Sequence, residues 1–191
     1  MTSDEALMLE FQGGSRAAFE ELFARYRKPL YGFFARRLNN PERAEDLTQE
    51  AFLAVIRAAS RYEPRALVRT YLCGIALKLL AAERRKFLTS STLGQSAPEP
   101  KADGIPERVL WVRQALEKLD APEREILMLR EYEQLSYSDI AGLLRIPLNT
   151  VRSRLFRSRL ALKSYLESEA RNNPGLRAGA GRPQPPRRGM Q

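Results

Sequence analysis

The chain has 191 residues, 43% of them hydrophobic and 29% charged, a composition that supports folded cores and excludes wholesale disorder. Its formal net charge of +9 favours a polyanionic partner such as nucleic acid, although an acidic protein or an anionic membrane surface would also fit. Histidine is absent and Cys73 is the single cysteine, which excludes a zinc cluster and an internal disulfide and removes the commonest general base.

We therefore expect no metal site, no cofactor and no small-molecule substrate, and we expect Cys73 to be buried rather than reactive. The amino-terminal segment MTSDEALMLE is acidic rather than basic, and no apolar run approaches the roughly 20 residues that span a bilayer. These features predict a cytoplasmic protein without membrane insertion.

Two helices are predicted in the first 40 residues. Ser3 caps the first, which carries two acidic residues in its first turn and ends at the glycine pair 13–14. Ser15 caps the second helix. Apolar residues recur in it every three or four positions and predict one buried face, made of Phe19, Leu22, Phe23, Tyr26, Leu30, Phe33 and Leu38.

Two further helices follow before residue 89. Asn40 and Pro41 supply a cap and a first-turn proline for the third helix. Its predicted inward face consists of Ala44, Leu47, Ala51, Val55 and Ala59. The fourth helix is expected from about Arg65 to Lys86, with a core stripe of Val68, Leu72, Ile75, Ala76 and Leu79.

The stretch from Thr89 to Gly104, TSSTLGQSAPEPKADG, is rich in Ser, Pro and Gly and predicts a flexible linker. The residues after Asn172 contain few core-forming side chains and several arginines, which predicts a disordered basic tail. The expected fold is therefore all-α, with two small helical domains joined by a flexible linker.

Several helices are predicted after the linker. Pro106 begins one with the apolar series Val109, Val112, Leu116 and Leu119. Asp120 begins the next, and Ser136 with Asp139 forms a capping box before a third, short helix. An interruption near Ile146-Pro147 precedes a last helix that starts around Asn149. No β-alternating run of useful length is present.

The last helix contains the sequence TVRSRLFRSRLALKSYL and is strongly basic. Five cations and no acid lie between Leu148 and Leu166. Three apolar residues, Val151, Leu155 and Leu162, share one face, so the neighbouring face, with its arginines, points outward. A short capped helix and a turn before such a helix predict a helix-turn-helix that reads the DNA major groove, although a solvated basic helix is the alternative interpretation.

Two stretches resemble a known family. The segment LEKLDAPEREILMLREYEQLSYSDIAGLLRIPLNTVRSRLFRSRLAL resembles the fourth conserved region of extracytoplasmic-function (ECF) sigma factors, including a Leu-Ser-Tyr motif and a Thr-Val-Arg-Ser-Arg recognition helix. The segment RAEDLTQEAFLAVIRAASRYEP resembles the second region of the same family. The resemblance covers most of residues 19–166. It implies a protein that binds core RNA polymerase, directs it to promoters and assists promoter melting.

The resemblance also implies domain bounds and partners. Residues 1–88 would form the region 2 domain, 89–105 the linker, 106–170 the region 4 domain with the helix-turn-helix, and 171–191 the basic tail. The implied partners are core polymerase, promoter DNA and an anti-sigma factor. The protein itself is expected to catalyse no reaction.

Three groups of site residues follow from the resemblance. The polymerase-binding group is Asp46, Leu47, Gln49, Glu50 and Leu53. The group expected at the minus-35 element is Thr150, Arg152, Ser153, Arg154, Phe156, Arg157 and Arg159. The group expected at the minus-ten element, where the family flips a base into a protein pocket, is Arg65, Arg69, Tyr71, Lys78, Arg84, Arg85 and Lys86.

The sequence departs from the family pattern near the minus-ten group. The family usually shows Phe-Arg-x-Trp-Leu where this chain has VRTYL at 68–72, and its common Asn and Asp are replaced by Lys78 and Ala82. Lys78 is expected to contact a phosphate where an amide would read a base. Polymerase binding is therefore the better supported role.

Two other functions compete with this interpretation. A helix-turn-helix regulator that binds DNA without polymerase would use the first helical block for dimerisation or sensing. A nucleic-acid enzyme is disfavoured, because the chain has no histidine and no cluster of carboxylates that resembles a metal site.

Overall fold

The computed structural model describes residues 2–38, 40–91 and 107–172. In these residues the chain forms eight α-helices, one 3-10 helix and no strand, which confirms the all-α prediction. The α-helices are α1 (Asp4–Gln12), α2 (Arg16–Ala35), α3 (Pro41–Ala58), α4 (Val68–Ser91), α5 (Glu107–Glu117), α6 (Ala121–Glu131), α7 (Tyr137–Leu144) and α8 (Leu148–Asn172). The 3-10 helix, Ala59–Arg61, follows α3 directly. No helix in the described ranges is long and apolar enough to cross a bilayer.

The described residues group into two compact units. The first unit contains those of 1–102 and 128–151, and the second contains those of 103–127 and 152–191. This grouping by contact differs from a division at the linker, because residues 128–151 join the amino-terminal helices. The functional domain bounds given by the resemblance remain a prediction.

The helix starts follow the capping signals in the sequence. The Ser3 hydroxyl accepts from the Ala6 amide at 3.2 Å, and the Ser15 hydroxyl accepts from the Ala18 amide at 3.3 Å. The side-chain oxygen of Asn40 accepts from the amide of Arg43 at 2.9 Å. Each cap satisfies an amide that has no partner within its helix. The predicted starts of α1, α2 and α3 are therefore confirmed.

The core of the first unit contains the inner face of α2. Leu22, Tyr26, Leu30 and Phe33 are buried as predicted, while Phe19 and Leu38 are only partly buried. Phe34 is also fully buried, whereas Phe23 lies at the edge of the core with its ring 4.7 Å from that of Phe52. Phe23 and Phe34 lie about three turns apart on the same side of α2, so packing against the other helices, rather than spacing, decides which of them is in the core.

The bounds of α4 differ from the prediction at both ends. It begins at Val68, three residues after Arg65, and continues to Ser91, so residues 89–91 of the predicted linker are helical. Residues 92–105 of that linker and 173–191 of the predicted tail lie outside the described residues. Along α4, Val68, Leu72 and Ala76 are buried as predicted, together with Leu80 in place of the half-buried Leu79. Cys73 is also buried, as predicted.

A buried carboxylate joins residues 128–151 to α2 within the first unit. Glu133 is paired with Arg36 at 2.9 Å and with Arg37 at 3.3 Å. The guanidinium of Arg37 also lies over the ring of Phe33, 3.6 Å from its centroid. Burial removes water from the Glu133 carboxylate, and the two guanidinium groups compensate this loss of hydration.

The second unit contains a buried polar residue that links α8 to α6. Its apolar core includes Ala115, Leu119, Ile126 and Leu155. Ser158 is fully buried, and its hydroxyl lies 2.7 Å from the carbonyl oxygen of Arg154 and 3.2 Å from that of Glu123. These carbonyl acceptors satisfy the hydroxyl, so a serine is tolerated in the core.

A matched pair of phenylalanine substitutions tests the core of the first unit. Phe34→Ala removes a fully buried ring and should lower the free energy of unfolding by about 3–5 kcal/mol. Phe156→Ala removes a ring that is 69% exposed and should change it by about 0.5 kcal/mol or less. Urea denaturation measures both. Equal effects would contradict the assigned core.

The ion pair between α3 and α4 predicts a pH dependence of stability. Hydrogen bonds from Arg43 lower the pKa of Glu83 below its ordinary value of 4.5. The pair therefore stabilises the fold above about pH 4.5, and this stabilisation is lost as the pH falls through the lowered pKa. Relative to Glu83→Gln, the wild type should gain about 1 kcal/mol or less at neutral pH, and the gain should vanish in acid.

Urea denaturation across a range of roughly pH 2 to 7, which includes the ordinary pKa of 4.5 for Glu83, measures this difference. Glu10→Gln, on the exposed face of α1, is the control and should leave the profile unchanged. A difference between wild type and Glu83→Gln that is constant with pH would contradict the assigned pair.

Candidate functional site

The outward face of α3 carries most of the predicted polymerase-binding residues. The side chains of Asp46 and Glu50 are 60% and 42% exposed, and Leu53 is 47% exposed. Gln49 is also exposed. Their spacing of three or four residues places them on one side of the helix. This face combines acidic, amide and apolar groups.

Leu47 does not belong to this face. It is 1% exposed and packs in the core together with Ala44, Ala51 and Val55. Because Leu47 shares the periodicity of these residues, its side chain points toward the other helices. It can support the outward face from below but cannot contact a partner directly.

Sequence reasoning missed two residues of this surface. Ile56 is 45% exposed and lies three residues after Leu53, so it extends the apolar part of the face. Arg43 contacts both predicted acids, with a guanidinium nitrogen 3.4 Å from Asp46 and 3.2 Å from Glu50. The spacing from 43 to 46 could have indicated the first contact.

Arg43 is itself held by α4. Its guanidinium makes two hydrogen bonds of 2.7 Å to the two carboxylate oxygens of Glu83. These bonds, together with the nearby acids, raise the pKa of Arg43 above its ordinary value. The bidentate pair fixes the guanidinium in one orientation, so Asp46 and Glu50 share a positioned counter-charge.

The predicted minus-ten residues fall into separate groups. Arg65 lies in the segment before α4 and pairs with Glu63, while Arg69 and Tyr71 lie in the first turn of α4. Arg69 is exposed, and its guanidinium reaches the side-chain oxygen of Gln134 at 3.4 Å. The ring of Tyr71 packs edge-on against Tyr62, with centroids 5.3 Å apart.

The remaining members of this group lie farther along α4. Lys78 is exposed about two turns after Tyr71, at 3.6 residues per turn. Arg84, Arg85 and Lys86 are exposed roughly 20 Å beyond Tyr71 along the helix axis, given about 1.5 Å per residue. The predicted minus-ten residues at the two ends of α4 are therefore too far apart to contact a single nucleotide.

A helix-turn-helix is formed by α7 and α8. Ser136 and Asp139 make the predicted capping box at the start of α7. Arg145 ends α7 in the left-handed region at φ 54°, and the Ile146 amide donates to the Ala141 carbonyl at 3.1 Å. The carbonyl of Pro147 then accepts from the Thr150 amide at 2.9 Å, which starts α8. The turn predicted at Ile146-Pro147 is confirmed.

The predicted minus-35 residues lie on the first three turns of α8. Val151, Leu155 and Ser158 are buried, which leaves the opposite face exposed. Arg152, Ser153, Phe156, Arg157 and Arg159 are exposed, and Thr150 and Arg154 are partly buried. Arg157 lies 3.3 Å from Glu123, yet its side chain is 62% exposed. Such a surface pair is weak enough to exchange for a phosphate contact.

Leu160 was missed by sequence reasoning. It is 58% exposed and lies one turn after Phe156, so the basic face carries an apolar pair. The spacing of four residues could have indicated it. An arginine-rich face with exposed apolar side chains can contact phosphates, guanine edges and thymine methyl groups.

Comparison with known proteins identifies two family regions in the chain. The Sigma-70 region 2 family matches residues 22–86, which include the outward face of α3 and most of α4. The Sigma-70 region 4 family matches residues 110–162, which include the helix-turn-helix. Both exposed surfaces described above lie within these matches.

Two solved structures share the fold. A sigma factor RpoE from Bartonella quintana, solved with the anti-sigma factor NepR, has a TM-score of 0.66 at 22% identity over 78% of this chain and 96% of that chain. CnrH, solved with the cytosolic domain of CnrY, has a TM-score of 0.65 at 24% identity over 87% of this chain and 99% of that chain.

Several curated proteins are similar over nearly their full length. The RNA polymerase sigma-H factor of Pseudomonas aeruginosa is 32% identical, over 86% of this chain and 94% of that protein. The ECF RNA polymerase sigma factor SigC of Mycobacterium tuberculosis is 32% identical, over 86% of this chain and 91% of that protein. The ECF RNA polymerase sigma-E factor of Escherichia coli is 28% identical, over 86% of this chain and 95% of that protein. This chain therefore belongs to the ECF group of RNA polymerase sigma factors.

Proposed function

We propose that this protein binds core RNA polymerase, directs it to specific promoters and assists promoter melting. The observation that carries the proposal is that one chain presents both an acidic-apolar helix face on α3 and a basic recognition helix in a helix-turn-helix. A sigma factor needs both surfaces, whereas a stand-alone regulator needs only the second. The proposed division of labour assigns residues 1–88 to polymerase and the minus-ten element, and 106–170 to the minus-35 element.

The polymerase contact is proposed on the exposed face of α3. Asp46, Gln49, Glu50 and Leu53 form its centre, with Ile56 at its edge. A mixed acidic and apolar face suits a helical partner surface that carries basic residues, since charge guides the encounter and apolar burial supplies affinity. Leu47 is not part of this contact because it lies in the core.

The minus-35 contact is proposed on α8. The first residues of α8 come directly after the turn that joins it to α7. In helix-turn-helix proteins, the residues at this end of the recognition helix contact base edges. Arg152 and Arg157 are proposed to read bases or grip phosphates, and Phe156 to contact a thymine methyl group.

The minus-ten contact is proposed around the start of α4. Arg65, Arg69 and Tyr71 lie beside an exposed segment, where a flipped base of the non-template strand could stack and pair with polar groups. Lys78 is proposed to contact a phosphate, and Arg84, Arg85 and Lys86 to follow the strand backbone. Arg69 would exchange its contact with Gln134 for one with DNA.

The proposed partners also suggest where the protein acts and how it is regulated. We propose that the protein acts in the cytoplasm, together with core polymerase and promoter DNA, and we propose no reaction of its own for it. RpoE of Bartonella quintana was solved with an anti-sigma factor. We propose a regulator of the same kind for this chain.

Transcription from a linear promoter tests the function directly. The full chain, mixed with core polymerase and a random promoter library, should co-purify with the enzyme and enrich a shared pair of promoter elements among the transcripts. A stand-alone regulator would instead protect palindromic DNA without polymerase. Failure to support any initiation, together with such protection, would overturn the proposal.

A matched pair of leucine substitutions tests the α3 surface. Leu53→Arg should weaken binding to core polymerase by tenfold or more, roughly the loss of one buried leucine contact at an interface. Leu9→Arg is the control, because Leu9 is 45% exposed on α1 and Leu53 is 47% exposed on α3. Binding is measured by competition for fluorescently labelled core polymerase. Equal losses for the two variants would count against the α3 surface.

Alanine substitution tests the recognition helix. Arg152→Ala should cost about 1–3 kcal/mol of promoter binding and relax the preference at one minus-35 position. Lys163→Ala, farther along α8 and paired with Glu167 at 3.8 Å, should leave that preference unchanged. Holoenzyme binding to a set of minus-35 variants measures both effects. Weaker binding with an unchanged base preference would make Arg152 a phosphate contact, and unchanged binding would remove this residue from the proposed contact.

A further inference from the structure

No residue of the first helix is named in the contacts proposed above, and the helix lies outside the region 2 match, which begins at residue 22. It is nevertheless firmly placed. Leu7 and Met8 are buried, and α1 contacts α2, the 3-10 helix and α4. Asp4 accepts hydrogen bonds from Arg25, at 2.6 Å, and from the hydroxyl of Tyr26. The helix is thus anchored to α2 by both apolar and polar contacts.

The carboxyl end of α1 holds the chain just after α3. The side-chain amide of Gln12 donates to the carbonyl of Ser60 at 3.3 Å and to the carbonyl of Tyr62 at 3.1 Å. One side-chain amide thus bonds to two backbone carbonyls of this stretch. Gln12 fixes the backbone immediately before the segment 63–67.

The amino end of α1 holds the chain where α4 begins. A carboxylate oxygen of Glu5 accepts from the Val68 amide at 3.1 Å. Val68 is the first residue of α4, so Glu5 caps this helix from another element and places a negative charge near its positive end. Glu5 thereby fixes the backbone immediately after the segment 63–67.

Side chains of one rigid helix therefore hold both ends of the segment 63–67. Glu5 and Gln12 are about 10 Å apart along α1, given about 1.5 Å per residue. All five residues of the segment are exposed, including Leu67 at 59%, and Tyr62 and Tyr71 pack together beside its two ends. The segment presents Arg65 and Leu67, a cation and an apolar group, on a backbone with fixed ends.

We propose that Glu5 and Gln12 are positioning residues for promoter melting. By fixing both ends of the segment 63–67, α1 reduces the conformational entropy that the segment would lose when it receives an unstacked base. The inference rests on the proposed sigma function and adds α1 to the parts of the chain that perform it.

Four variants of the full chain test this inference on α1. Glu5→Ala and Gln12→Ala each remove a hold on the segment, whereas Glu5→Gln keeps an oxygen that can accept from the Val68 amide. Glu10→Ala makes the same change as Glu5→Ala at an exposed position of the same helix. Each variant is assembled with core polymerase on a promoter selected by the wild type. Open-complex formation is measured on the duplex and on the same promoter with its minus-ten region already unpaired.

Glu5→Ala and Gln12→Ala should each slow opening of the duplex by about tenfold. This is the effect expected from losing one hydrogen bond to a charged group, as at Glu5, or two bonds to a neutral amide, as at Gln12. They should bind core polymerase as the wild type does and should recover most of their activity on the unpaired template. Glu5→Gln and Glu10→Ala should open the duplex at nearly the wild-type rate. A purely structural defect would instead lower core binding and activity on both templates alike.

The inference is overturned if Glu5→Ala and Gln12→Ala open the duplex as fast as the wild type, or if their loss is equal on both templates. Wild-type protein is measured in the same assay, so that failure of the proposed function can be distinguished from failure of this inference. Absence of initiation by the wild type would overturn the proposed function and this inference together. Normal initiation by the wild type with unaffected variants would overturn this inference alone.

Discussion

Burial of one face of each amino-terminal helix is the constraint on which the candidate surfaces depend. On α3, Ala44, Leu47 and Val55 are packed in the core, and this fixes the rotation of the helix about its axis. The opposite face, with Asp46 and Leu53, is therefore exposed. The same logic applies to α8, where burial of Val151 and Leu155 leaves the arginine-rich face outward.

Charges in the first unit are organised by guanidinium groups rather than spread evenly. Arg43 lies between a carboxylate on α4 and two carboxylates on its own helix, so the acidic face of α3 has a fixed counter-charge. Arg36 and Arg37 surround the buried Glu133. In both places, the planar and permanently charged arginine can serve several acceptors at once, which lysine could not do with the same geometry.

The contacts of α1 show how a helix without a proposed partner of its own can shape a site. Its apolar side chains anchor it to the core, and its polar side chains bond to backbone groups on both sides of the segment 63–67. Backbone carbonyls and amides at the ends of an exposed segment need such partners. A peripheral helix thus becomes part of the surface that we assign to promoter melting.

The sequence by itself determined the all-α fold, the starts of α1, α2, α3 and α7, the helix-turn-helix and the family, because caps, apolar periodicity and motifs act over a few residues. It did not separate Phe34, in the core, from Phe23, at its edge, because these two residues lie on the same side of α2. It did place Leu47 on the inward face of α3, and the structure confirms that this side chain is buried. Only the tertiary structure revealed that Gln12 reaches Tyr62, that Glu5 caps α4 and that Arg43 pairs with Glu83. These contacts join residues 40 or more positions apart, and a local pattern carries no information about which distant groups the packing of helices brings within hydrogen-bonding distance.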